Sequence, residues 1–174
     1  PFMYGNHIFA HNGVVNIPDE VAFCLNEWRG RLRGVNDSEV YFWYIMREME
    51  NGASFPEALQ SFGENLSDLW QRSRHKYPDK KRPYVGLNTL LSDGKRLYAY
   101  CKYEKEDESR QSLCFGDQPA PQMAYLIKPE SLIVSSEKTN REEDWKALKN
   151  GQLMVAEISG PAVKIKIQEL DFKA

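Results

Sequence analysis

A chain of 174 residues, 41% hydrophobic and 28% charged with a formal net charge of −2, is long enough for one domain burying about 70% of its unfolded surface. It is too close to neutral for a nucleic-acid footprint, which needs a basic domain or stripe; no apolar run approaches the roughly 20 residues of a membrane helix, and no basic-plus-apolar leader marks export, so a cytoplasmic protein is expected. The three cysteines (Cys24, Cys101, Cys114) lack a Cys-x-x-Cys pair and the three histidines (His7, His11, His75) are scattered, which reads as reduced core thiols and excludes a zinc cluster.

The chain opens on Pro1-Phe2 without an initiator Met or a cap, as the middle of a domain would, and reads as strand from His7 to Ala10. That strand stops on Asn12-Gly13. Asn-Gly is the commonest type I′ turn dipeptide. A side-chain amide beside an exposed backbone N–H is also the pair of donors that the oxyanion of an attacked amide or ester requires. Gly13 would let a substrate approach the backbone where a Cβ would obstruct it. His11, in an apolar strand, reads as a hydrogen-bonded framework residue and not as a general base.

Ile17-Pro18-Asp19-Glu20 signals a helix start, with proline and acids in the first turn. Val21, Cys24, Leu25 and Trp28 follow at helical spacing, and Arg29-Gly30-Arg31-Leu32-Arg33-Gly34 closes the segment as a basic, solvated loop. Asn36-Asp37-Ser38-Glu39 opens a second helix running to about Met49, capped by Asn36 or Asp37. It is apolar nearly all round from Val40 to Met46, so it should pack on more than one side. Ser54 caps a third helix whose Phe55, Leu59, Phe62, Leu66, Leu69 and Trp70 form an amphipathic stripe ending by Tyr77-Pro78.

After Lys80-Lys81-Arg82 the period changes to that of strands. Val85–Leu91, the Asp93-Gly94 turn and Arg96–Tyr103 predict a hairpin, which also explains the serine-turn lookalike Ser92-Asp93-Gly94. Ser112–Phe115, Met123–Ile127 and Ser131–Ser135 are further strand candidates beyond the charged loop from Glu104 to Arg110. Asn140 caps one or two helical turns through Trp145, stopping at Gly151; Gln152–Ile158 and Ala162–Leu170 then pair through Ser159-Gly160. Helices and strands are segregated, which predicts an α+β domain over residues 1–174, with helices layered on antiparallel sheets.

Taken together, PFMYGNHIFAHNGVVN, NDSEVYFWYIM, LNTLLSDGKRLYAYCKY and LIVSSEKTNREEDWKALKNGQLMVAEI resemble the class II glutamine amidotransferases, in particular their small stand-alone bacterial members. The resemblance implies a four-layer αββα sandwich of the N-terminal-nucleophile hydrolase type, lacking its first strands in this chain. It implies attack by an N-terminal cysteine on the side-chain amide of glutamine or another γ-glutamyl amide, with the nucleophile's own amine as base. Asn12 and Gly13 fall at the family's oxyanion hole, and Asp37 at the aspartate that holds the substrate's α-amino group. No metal or organic cofactor is implied; released ammonia would pass to an ammonia-accepting partner enzyme.

Position one is Pro1, and the three cysteines are internal. The family's upstream strands, with an arginine and histidine region that helps bind the substrate carboxylate, have no counterpart, so the chain resembles the later two-thirds of the domain. It is expected to be a segment of a longer protein, half of a split domain or a shortened pseudoenzyme, and inactive by itself. The alternatives are a non-catalytic γ-glutamyl binding or regulatory module, and a γ-glutamyl amide hydrolase of small-thiol metabolism.

Overall fold

The computed structural model describes residues 1–159, 162–170 and 172. In chain order the elements are β1 (Phe2–Tyr4), β2 (His7–Val15), α1 (Pro18–Phe23), α2 (Asp37–Glu50), α3 (Phe55–Ser73), β3 (Tyr84–Ser92), β4 (Arg96–Cys101), β5 (Met123–Lys128), β6 (Ser131–Ser135), β7 (Lys146–Leu148), β8 (Gln152–Ser159) and β9 (Ala162–Glu169). Short 3₁₀ turns occupy Asn26–Arg31, Arg74–Lys76 and Lys105–Ser109. The chain divides into two compact units: Pro1, Met3–Gly13 and Gly86–Glu169 form the first, and Phe2, Val14–Val85 and the terminal Leu170 and Phe172 the second.

The first unit is built on two sheets, of orders β1-β2-β3-β4-β8-β9 and β6-β5-β7. The β3–β4, β4–β8, β8–β9, β5–β6 and β5–β7 ladders are antiparallel. Alternation decides which residues face inward. Ala99 and Cys101 of β4 and Met154 of β8 meet Met123 and Tyr125 of β5 and Leu148 of β7 in one buried cluster, flanked by Leu90, Leu132, Val134, Ile165 and Ile167. Along β9 the opposite residues, Lys164 and Lys166, are exposed. Charge on that outer strand discourages pairing with another chain.

The second unit holds the three helices. Asn36, not Asp37, caps α2, its side chain accepting the Ser38 N–H at 2.8 Å. Along α3, Phe55, Leu59, Phe62 and Leu66 are buried as the four-and-three spacing demands. Phe62 lies with its ring centroid 4.2 Å from that of Tyr41 and 5.1 Å from that of Tyr44, both on α2. Gly63 of α3 gives room to the Phe172 ring, atoms of which stand 2.3 Å from where a Cβ would be. No described helix is long and apolar enough to cross a membrane.

Several expectations are corrected. Asn12-Gly13 does not end a strand or turn a hairpin, because β2 runs on to Val15. The hairpin turn lies earlier, at Gly5-Asn6 between β1 and β2, with Gly5 at φ 56°. Ser112–Phe115 is not a strand: Ser112 Oγ accepts the Cys114 and Phe115 N–H groups at 3.3 and 3.2 Å, folding the segment into a local turn. Asn140 does accept the Glu143 N–H at 3.0 Å, as a cap would. No helix follows, and the next residues pair with β5 as β7 instead. Gly160, expected in the β8–β9 turn, lies outside the described residues.

Candidate functional site

Asn12 and Gly13 are both exposed on β2, and their surroundings explain the residue types. His11 Nε2 stands 3.0 Å from the Gly86 carbonyl oxygen. A carbonyl only accepts, so Nε2 carries the proton and His11 is a framework donor, as its apolar strand suggested. A Cβ added to Gly13 would lie 1.9 Å from that same oxygen, 2.4 Å from the Gly86 carbonyl carbon and 2.9 Å from His11 Nε2. Gly13 is therefore required by the close approach of the β3 backbone, a reason the sequence did not disclose.

Beside Asn12 is a cavity of about 340 Å³ lined by Ala10, His11, Asn12, Asn88, Leu90, Met123, Val134, Ser135 and Ser136, all from the first unit. Its walls are tied down. Asn88 is buried, its Nδ2 donating to the Pro121 carbonyl at 2.6 Å and its Oδ1 accepting the Lys102 N–H at 2.9 Å. Gln118 is also buried; it donates to the Gln122 and Ser136 carbonyls at 2.8 and 2.9 Å and accepts the Lys138 N–H at 3.2 Å. Both amides satisfy backbone groups that would otherwise be costly to bury. The Asn12 side chain has no such duty. Among the described residues it makes no hydrogen bond, so its amide is available to a ligand.

None of the three thiols is prepared as a nucleophile. Cys101 is fully buried, and burial pushes its thiol up to about 12. Burial also raises Cys24, while the Glu137 carboxylate beside the exposed Cys114 raises that thiol. Reactive cysteines have the opposite shift, because the thiolate attacks. Iodoacetamide at pH 8 is expected to label Cys114 first, Cys24 more slowly and Cys101 only after unfolding. Mass spectrometry of the native protein checks this, and native labelling of Cys101 would contradict it.

In the second unit, Asp37 is half-buried, and its Oδ2 accepts the Val15 N–H at 2.7 Å. Since Asn36 takes the capping role, the aspartate is not needed as a helix cap, and its Oδ1 has no partner among the described residues. Glu39 is buried at 7% exposure; its two carboxylate oxygens accept the Arg33 and Gly34 N–H groups at 2.9 and 3.0 Å. This clamp fastens the basic loop to the first turn of α2. By position alone Glu39 is only a negative charge in the first helical turn. Among the described residues no three of His, Cys, Asp and Glu are grouped as metal ligands would be.

Comparison with known proteins gives this geometry its context. The uncharacterised protein MJ1515 of Methanocaldococcus jannaschii is 28% identical over 162 residues, which cover 84% of this chain and 40% of that protein. The chain thus spans less than half the length of the curated relative it matches. A glutamine aminotransferase class-II domain protein from Silicibacter pomeroyi shares the fold at a TM-score of 0.61 and 21% identity, over 99% of this chain and 71% of that one. The common architecture is mixed α/β with antiparallel sheets. The family model for class-II glutamine amidotransferases matches residues 1–171, and with nearly the whole chain covered, this protein belongs to the class II glutamine amidotransferase family.

Proposed function

We propose that this chain is the later part of a single four-layer N-terminal-nucleophile hydrolase domain, cleaving glutamine or another γ-glutamyl amide. Attack comes from an N-terminal cysteine that Pro1 does not supply. The carbonyl oxygen becomes an oxyanion facing the Asn12 amide and the Gly13 N–H, and Asp37 holds the substrate's α-ammonium. The mechanism needs no metal or organic cofactor. Ammonia passes to an acceptor enzyme, or a larger amine leaves if the substrate is a substituted amide; the protein works in the cytoplasm.

The observation that carries this reading is Asn12: an exposed amide without a hydrogen-bond partner among the described residues, lining a cavity whose other side-chain amide, that of Asn88, is engaged by backbone groups. Oxyanion donors must be held in place yet left unpaired in the resting state. A second reading is a γ-glutamyl binding or regulatory module. Glutamine binding without ammonia release from the protein bearing its N-terminal cysteine would select it.

Steady-state ammonia release from glutamine by the protein bearing its N-terminal cysteine tests the Asp37 assignment. Asp37→Asn keeps an oxygen for the Val15 N–H but removes the charge, and should raise KM by about 10- to 100-fold, the worth of a charge-assisted hydrogen bond. Turnover at saturation should change little. Asp37→Ala should raise KM at least as much. An unmoved KM in both variants removes Asp37 from substrate binding.

A further inference from the structure

The core between the two sheets of the first unit runs out before the strands do. Leu97 and Ala156 are partners across β4 and β8. They lie two residues along from Ala99 and Met154 of the buried cluster, and residues two apart on a strand share a face. With Val163 of β9, and Leu132 of β6 on the other sheet, they line a second cavity of about 340 Å³. Leu97, Leu132 and Val163 are only half-buried, so the apolar lining meets solvent here.

Four exposed charges stand around this floor, and they cancel. Arg96 and Glu157, partners across β4 and β8, pair with each other. Lys95 and Glu130 line the same cavity, and their side chains have no partner among the described residues. Both stand on tight turns. Asp93 Oδ1 accepts the Lys95 and Arg96 N–H groups at 2.9 and 2.7 Å, fixing the backbone that carries the lysine. Pairing of Lys128 with Ser131 leaves Pro129 and Glu130 as the turn between β5 and β6. Lone surface charges are usually just solvated. Here a cation and a carboxylate, unpaired with each other, reach the mouth of one apolar recess from turns of two different sheets.

We propose that this cavity is a second ligand site, and that it takes a zwitterionic α-amino acid with an apolar side chain. Lys95 meets the α-carboxylate, Glu130 meets the α-ammonium, and the side chain covers Leu97, Leu132 and Val163. A ligand of one net charge loses to half of the rim what it gains from the other half; a zwitterion gains from both. A volume of about 340 Å³ is at the small end of ligand pockets, which suits an amino acid better than a nucleotide. The site shares no lining residue with the cavity beside Asn12, and it does not depend on the γ-glutamyl reading.

Amide NMR titration of the full chain tests this with three probes: L-leucine, 4-methylvalerate (no ammonium) and 3-methylbutylamine (no carboxylate). L-Leucine should give saturable shifts at the Lys95, Ser131 and Val163 amides and bind more tightly than either analogue. Lys95→Gln should weaken L-leucine and 4-methylvalerate about three- to tenfold, the worth of a partly exposed ion pair, and spare 3-methylbutylamine. Glu130→Gln should weaken L-leucine and 3-methylbutylamine by the same factor and spare 4-methylvalerate. Ala156→Leu fills the floor and should abolish binding of all three, with a thermal melt checking its fold. The two rim substitutions are on exposed side chains and decide the matter even if that variant unfolds. Absence of saturation, shifts confined to Val15 and Asp37, or L-leucine affinity unmoved by both rim variants would refute the site. Analogues that bind as tightly as L-leucine would refute its zwitterionic class.

Discussion

Gly13→Ala is expected to destabilise the protein by about 3 kcal/mol, the upper end of the usual cost of overpacking. The new methyl would sit 1.9 Å from the Gly86 carbonyl oxygen, well inside contact distance. The obstacle is backbone, so no rotamer change relieves it. Either β2 moves away from β3, or the hydrogen bond between His11 and the carbonyl of the buried Gly86 breaks. For a domain of this size 1 kcal/mol corresponds to roughly 2–4 °C, so the melting temperature should fall by about 6–12 °C. Gly86→Ala is the internal control: its nearest neighbours would be 3.6–3.7 Å away, an ordinary contact, and the change should be nearly silent. Equal melting temperatures for both variants would mean that the strands yield at this point.

The same pair of glycines shows why part of the site was hidden in the sequence. Asn12-Gly13 could be read as a turn or as an oxyanion donor pair, and local residues do not decide between them. What decides is a carbonyl 75 residues along the chain from His11. An isolated glycine within the β3 pattern was the available signal, since such a glycine marks close backbone approach, and Gly86 had gone unused. The Asp93-Gly94 turn was legible because its bonds are local: Asp93 Oδ1 accepts the Lys95 and Arg96 N–H groups at 2.9 and 2.7 Å. The helices were legible for a similar reason, since the α3 stripe and the Asn36 cap are properties of neighbouring residues.

Errors gathered where a partner strand overrides local preference. Asn140 satisfied a capping rule, but Lys146–Leu148 gains more by pairing with β5 than the preceding residues gain as an isolated turn of helix. β1 escaped notice because three residues carry too little periodicity to register. The role of Glu39 was open to sequence reading only as a charge near a helix start. That its carboxylate folds back on Arg33 and Gly34 depends on loop length and burial, which no spacing rule encodes. The cavity walls are of this kind too, because Asn88 and Gln118 earn their places by bonding backbone groups in segments brought near only by folding.

Asn12→Ala separates catalytic from structural importance more cleanly than any other substitution in this chain. Because the side chain is exposed and makes no hydrogen bond among the described residues, its removal leaves no buried group orphaned, and stability should change by less than about 0.5 kcal/mol. The transition state is affected very differently. As the γ-carbonyl carbon becomes tetrahedral, a full negative charge develops on its oxygen, and the Asn12 amide is one of the two donors proposed to meet it. Loss of one such donor typically lowers turnover by about 10²- to 10³-fold. In the protein bearing its N-terminal cysteine, Asn12→Ala should therefore depress kcat for ammonia release from glutamine by that factor, with KM within about threefold of wild type, because the donor acts on charge absent from the ground state. Asn12→Asp should be at least as damaging, since it sets a carboxylate where the oxyanion forms. Stopped-time ammonia assays alongside thermal melts supply both readouts. A kcat that stays within threefold of wild type while the melting temperature holds would take Asn12 out of the oxyanion site and leave the cavity beside it in need of another role.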